Sequence, residues 1–304
     1  MAALVEERRS RLVVGVDPDP AKLWPQAAAR VTAATGTRGA TGGATAHADT
    51  RALTAEALVA HCGALLEAVA DQCVAAKLQL ACFERLGAAG WDALERVAAL
   101  ARQAGLLVIA DGKRGDVPTT AQAYAEALFG GGSGPFGAYP GLGADAATLN
   151  PLLGRDALEP LVAAAAASGG GCFVLVRTSN PGAAELQDQP ATEPLRLRLA
   201  RLVRELGEPH TQDGLSLVGA VCGATRPDLL GELRKAMPAT PFLLPGVGAQ
   251  GGSAQALRAA LSEHPASAIV TASRTIADAW RVLGGDPATA AARAAAQLRS
   301  ETWP

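Results

Sequence analysis

Eight short aliphatic and β-branched runs alternate along this chain with longer Ala/Leu/Arg segments of helical period. The strand-like runs are 12–16, 74–80, 106–110, 145–149, 172–176, 217–221, 242–244 and 268–271. The helical segments that follow them are 54–70, 91–104, 120–128, 156–167, 194–206, 227–236, 253–261 and 276–283. Strands separated by helices pair in parallel, and the helices cover the sheet. Eight units is the count that closes a (β/α)8 TIM barrel, whereas an open doubly wound sheet reaches about six or seven. The expectation is therefore an α/β chain forming one barrel domain over residues 1–304. Two segments interrupt the rhythm. Residues 32–50 are rich in Gly, Thr and Ala and read as a flexible insertion between the first strand and its helix. Residues 130–143 are rich in Gly, Pro and Tyr and fall at the opposite barrel face, where a structural or interface role is expected.

Composition narrows the function classes. Hydrophobic residues make up 49% and charged residues 18%, enough apolar material for a sizeable core. The net charge of −2, with aromatics at 4%, leaves no electrostatic footprint for nucleic acid. The longest Ala-rich run, 161–168, is too short to span a bilayer, so no membrane partner is expected. The five cysteines are scattered without a C-x-x-C pair, which suits reduced thiols in the cytoplasm. The opening MAALVEERRS lacks the apolar core of a secretory signal. Of the 27 basic residues only Lys22, Lys77, Lys113 and Lys235 are lysine, so each lysine invites a reason.

A barrel places its chemistry at the C-terminal ends of its strands. Here those ends carry Asp17; Lys77 and Gln79; Asp111-Gly-Lys113-Arg-Gly-Asp116; Asn150; Thr178-Ser179-Asn180; Gly246 to Gly252; and Ser273-Arg274. Asp111 and Lys113 are two apart and share one face of an extended strand. A lysine between Asp111 and Asp116 should stay protonated, which suits a general acid better than a Schiff-base nucleophile. The same residues could form only a salt-bridged strand end, and spacing alone does not separate the two. Arginine could not replace a proton-donating lysine, because its guanidinium does not give up a proton at useful cost. The glycine-rich turn after the seventh strand, with Arg274 after the eighth, matches the usual phosphate grip of a barrel, though ordinary turn chemistry uses glycine too. His47, His61, His210 and His264 all lie away from the strand ends, so no metal site is expected. Ser179 has no partner base and reads as a substrate contact.

The segment Asp111 to Asp116 resembles the D-x-K-x-x-D motif of the orotidine 5′-phosphate decarboxylases, in their longer bacterial branch. Further segments carry the same resemblance: Ala76-Lys-Leu-Gln79, Thr148-Leu-Asn-Pro-Leu-Leu-Gly154, Val176-Arg-Thr-Ser-Asn-Pro-Gly182 and Pro245-Gly-Val-Gly-Ala-Gln-Gly-Gly252. Gly112 departs from the family, where a small residue such as Ala is expected. The resemblance implies cofactor-independent decarboxylation of orotidine 5′-phosphate to UMP, the last step of de novo pyrimidine synthesis, by a homodimer with shared active sites. By position it implies Lys113 as proton donor to C6 and Asp111 beside the substrate carboxylate. Lys77 and Asp17 would contact the ribose side. Asp116 would enter the neighbouring subunit's site, with Thr120 beside it. Ser179 would contact the pyrimidine, while Gln250 and Arg274 would hold the phosphate. The alternative is a Mg-dependent sugar-phosphate decarboxylase or aldolase of the same barrel group, which would need a carboxylate-rich ion site.

Overall fold

The structure, a computed structural model, describes residues 1–35, 44–246 and 254–303. Eight parallel strands close into a barrel in chain order. They are β1 (Leu12–Val16), β2 (Ala75–Gln79), β3 (Leu107–Arg114), β4 (Ala146–Leu149), β5 (Gly171–Arg177), β6 (Val218–Cys222), β7 (Phe242–Pro245) and β8 (Ala268–Ala272). The ring is completed by β1 against β8, with Leu12 opposite Val270 and Val13 opposite Thr271.

Alternation along each strand separates two cores. Leu12, Val14, Leu78, Val108, Val174, Phe242 and Val270 face outward and pack under the helices. Val13, Ala75, Ile109, Ala146, Phe173, Val221, Leu243 and Ile269 face inward and fill the barrel. The helix Ala2–Arg8 lies across the bottom of the barrel and adds Val5 to that inner cluster. One layer higher, the inward positions of β2, β3 and β4 change character, to Lys77, Asp111 and Thr148, all buried. Packing thus keeps the lower barrel dry and leaves the top layer for chemistry.

Each expected strand is present, and β3 is longer than the apolar run suggested. It runs on to Arg114, with an irregular register against β4 between Ala110 and Arg114. The helices Pro25–Thr35 and Pro287–Thr302 were not anticipated: the first is an extra helix between β1 and the expected one, and the second comes after the last expected helix. The last expected helix is two short ones, Arg274–Ala277 and Ala279–Leu283. The segment 32–50 is not wholly irregular: its ends are helical, in Pro25–Thr35 and Ala44–Val69, and residues 36–43 lie outside the described residues. Within Ala44–Val69, the stretch Thr50–Val69 is long and apolar enough to cross a bilayer, but half of it is buried in the body of the protein. It packs against the helices Ala88–Gln103 and Pro287–Thr302, as a core helix does. Residues 130–143 hold an antiparallel hairpin, Gly132–Gly134 with Gly137–Tyr139, whose turn residue Phe136 is fully exposed.

Candidate active site

The cavity at the C-terminal mouth has a volume of about 410 Å³ and is lined by residues of both halves of the barrel. That size is in the range of small-molecule sites. Its charged wall comes from three adjacent strands. The parallel register sets Gly15 of β1 beside Lys77 of β2, and Gln79 of β2 beside Asp111 of β3. Asp17, Lys77, Asp111 and Lys113 thereby form a ladder of alternating charge. Lys77 Nζ lies 3.6 Å from Asp17 Oδ1 and 2.5 Å from Asp111 Oδ2. Lys113 Nζ lies 2.6 Å from Asp111 Oδ1.

Asp111 is the most constrained member, with 4% of its surface exposed. Thr148 Oγ1 donates to its Oδ1 at 2.8 Å, and Gln79 Nε2 donates to its Oδ2 at 3.3 Å. Burial works to raise its pKa, but the Lys77 and Lys113 ammoniums outweigh burial and bring it down to about 2. Burial likewise works against the charge of Lys77, and Asp111 with Asp17 overcome it, so the Lys77 pKa is raised. Both ladder members are therefore charged at neutral pH.

Lys113 is placed by an unusual backbone. Its φ is 49°, in the left-handed region, which costs a non-glycine residue on the order of 1–2 kcal/mol. The amide of Lys113 donates to Thr148 Oγ1 at 2.9 Å, so one threonine fixes both the lysine backbone and the carboxylate it faces. A side chain at Gly112 would bring Cβ to 2.8 Å from Leu80 Cδ2, the movable end of a side chain. Alanine would need that leucine to give slightly. A side chain at Gly115 would meet the Asn150 carbonyl oxygen at 2.5 Å, so the chain turns there only as glycine.

That turn changes the expected surroundings of Lys113. Asp116 does not sit against it. Past Gly115 the chain leaves the barrel, and Asp116 Oδ1 accepts from the amide of Val117 at 2.8 Å, just ahead of the helix Pro118–Leu128. The lysine between two carboxylates is Lys77. Neither Asp116 nor the exposed Thr120 lines the cavity of its own chain. Nearby, Val117, Leu152 and Leu153 are exposed apolar residues.

The opposite wall differs. Leu175, Val221, Leu243 and Pro245 line it, and polar groups return at the rim as Thr178, Ser179, Asn180, Ser273 and Arg274. The rim loop after β5 is pinned from outside the cavity. The Thr178 amide donates to Gln187 Oε1 at 2.8 Å, and Arg177 and Arg196 both pair with Asp188. Ser179 is pressed against the chain after β6, where a Cβ on Gly223 would come within 2.8 Å of Ser179 Cα. Arg274 follows β8 and makes no ion pair among the described residues, leaving its guanidinium open to an anion. Gln250, with the glycine-rich turn around it, lies outside the described residues. Among the described residues no group of three His, Cys, Asp or Glu side chains is placed to hold a metal ion.

Sequence reasoning assigned no role to Thr148. The in-and-out alternation of the fourth strand, Ala146 then Thr148, is the signal that would have turned it toward Asp111.

Comparison with known proteins identifies the family to which this barrel is similar. The family model described as orotidine 5′-phosphate decarboxylase / HUMPS matches residues 10–294. The orotidine 5′-phosphate decarboxylase of Rhodopirellula baltica is 46% identical over 224 residues, 73% of each chain. That of Roseiflexus castenholzii is 40% identical over 294 residues, 96% of this chain and 91% of the relative. Among solved structures, the OMP decarboxylase of Leishmania donovani superposes with a TM-score of 0.70 at 30% identity, over 99% of this chain and 97% of that one.

Proposed function

The chain belongs to the orotidine 5′-phosphate decarboxylase / HUMPS family, and from that premise we propose how its mouth converts orotidine 5′-phosphate to UMP and CO₂. The observation that carries the reading is the charge ladder Asp17–Lys77–Asp111–Lys113, buried at Lys77 and Asp111 and ending on an exposed lysine that lines the cavity.

The substrate carboxylate binds beside Asp111, where its charge is opposed. The C6–carboxylate bond breaks, CO₂ leaves, and the electron pair stays on C6. The Lys113 ammonium stabilises that charge as it develops and then transfers its proton to C6. Thr148 keeps the Asp111 carboxylate aimed, so the charges need no rearrangement during the reaction. Lys77 and Asp17 contact the ribose. Ser179 contacts the pyrimidine, and Arg274 with Gln250 holds the phosphate. Binding energy from that remote phosphate can offset the cost of seating two carboxylates together.

The chemistry is cofactor-independent. A divalent ion at the charged wall would need carboxylates turned toward each other, and Lys77 already lies between Asp17 and Asp111. The Mg-dependent reading is thus disfavoured by the donor set itself. The active form is a homodimer in which Asp116, with Thr120 beside it, completes the partner's mouth. Two observations support this: Asp116 stands outside its own cavity, and the next residue in the chain, Val117, is an exposed apolar side chain. The reaction belongs in the cytoplasm, which fits five unpaired cysteines, four of them buried.

Loss of absorbance of orotidine 5′-phosphate tests the reaction, with and without a chelator. Turnover unaffected by the chelator is expected. No turnover overturns the assignment, and chelator sensitivity restores the metal-dependent alternative. Mixing Asp116→Ala with Lys113→Ala protomers tests the shared site. Each variant alone should be inactive, and verified heterodimers should regain activity; no regain overturns the shared site.

A further inference from the structure

We infer that the Thr271 hydroxyl is a specificity group, donating a hydrogen bond to the C2 carbonyl of the pyrimidine. The inference rests on the decarboxylase reading above and extends it to a residue with no assigned role. Thr271 lies on β8, is 6% exposed and lines the mouth cavity. Its Oγ1 is buried with no hydrogen-bond partner among the described residues. Its cross-strand neighbours are Val13 on β1 and Pro245 on β7, whose side chains accept nothing. A buried hydroxyl without a partner is destabilising, and valine has the same shape without that cost. The other buried side-chain atom without a partner among the described residues, Trp280 Nε1, belongs to a residue that does not line the cavity. Thr271 is thus an unpartnered hydroxyl enclosed in the apolar wall of the site.

The ring geometry names its partner. The strands follow one another around the mouth in chain order. Lys113 on β3 fixes where C6 must lie. Asp17 and Lys77, on β1 and β2, take the ribose, which hangs from N1. Passing round the ring from C6 through N1, the next atom is C2, and the next strand after β1 in that direction is β8. Passing the other way, C5 and C4 come round toward β4, β5 and Ser179. The C2 carbonyl therefore arrives at β8, where Thr271 presents a donor without an acceptor.

Steady-state kinetics on orotidine 5′-phosphate, with binding of UMP and 2-thio-UMP, tests this on the full-length enzyme. Thr271→Val should lower kcat/KM about tenfold, mostly through KM, with a melting temperature no lower than wild type. Thr271→Ser should restore most of the loss. The wild-type enzyme should bind UMP several-fold more tightly than 2-thio-UMP, because sulfur is a poor acceptor, and Thr271→Val should lose that preference. The ratio of UMP to 4-thio-UMP affinity should be the same in wild type and Thr271→Val, because both ligands keep the C2 oxygen. An unchanged kcat/KM in Thr271→Val, or an unchanged preference for oxygen at C2, overturns the inference while leaving the decarboxylase reading standing. If the wild-type enzyme does not turn over orotidine 5′-phosphate, the decarboxylase reading itself fails, and the inference with it.

Discussion

The two halves of the barrel mouth are built on opposite terms. From β1 to β4 the top layer is charged and tightly interlocked, and Asp111 alone meets two ammoniums, one hydroxyl and one amide. From β5 to β8 the same layer is Leu175, Val221, Leu243 and the hydroxyl of Thr271, and charge reappears only at the rim with Arg274. The difference shows how a small cavity can hold charges strongly without flooding itself with water. The apolar wall lowers the local dielectric, which strengthens every interaction across the ladder. The buried part of the ladder, Lys77 with Asp111, is in turn neutral as a pair, so burying it is tolerable.

The comparison breaks most completely at Lys113. In the proposed mechanism, Lys113→Ala removes both the proton donor and the charge that stabilises C6. A fall in kcat of about 10⁴-fold or more is expected with the fold retained, read by kinetics beside circular dichroism. Next comes Asp111→Asn, which leaves the Lys77 and Lys113 ammoniums adjacent without their shared anion. Removing one partner of a buried ion pair costs about 3–5 kcal/mol, so the denaturation midpoint should drop sharply along with activity. On the apolar half a change of similar size should matter far less. Val221→Thr buries a hydroxyl at constant shape and should cost about 1–3 kcal/mol of stability, measured by urea unfolding, with turnover reduced far less than in Lys113→Ala.

The smallest effect separates the ladder from its support. His61 is buried beneath Trp24, and its Nδ1 accepts the Trp24 amide at 3.1 Å. Burial depresses its pKa from 6.5 to about 4. The folded state thus prefers the neutral ring, so the stability is present above pH 6.5 and is lost as pH falls toward 4. Unfolding free energy should be about 1 kcal/mol lower at pH 6 than at pH 8. His61→Gln, which can still accept from that amide, should remove the slope. Asp111 contributes nothing in this window. Its pKa of about 2 lies below the ordinary carboxylate value of 3.8, so its stabilisation is lost only as pH falls below that value.

Much of this was legible in the residues. The apolar runs marked each strand because inward and outward faces are both buried in a parallel barrel, and the charges stood out where those runs ended. The ladder was less legible. Asp17 and Lys77 are distant in sequence and meet only because β1 and β2 are neighbours in register. Asp116 looked like a neighbour of Lys113 because it is close along the chain, but the turn at Gly115 carries it away. The helices Ala2–Arg8 and Pro287–Thr302 follow no strand, so the alternating pattern gave no reason to expect them. Thr271 is an ordinary strand residue on paper. Its meaning comes from burial without a partner, which only the packed barrel reveals.

The pairing of β1 with β8 has a consequence for how the protein is made. Leu12 meets Val270, so the contact that closes the ring joins the first strand to the last. A ribosome delivers the segments bearing Asp17, Lys77, Asp111 and Lys113 while β8 is still unsynthesised. Until Thr271 and Arg274 emerge, the nascent sheet keeps an open edge on β1, and such an edge is the place where wrong pairings begin. Such long-range closure is intrinsically slow. The charged half of the mouth is thus synthesised first, and the half bearing Thr271 and Arg274 is fitted to it last.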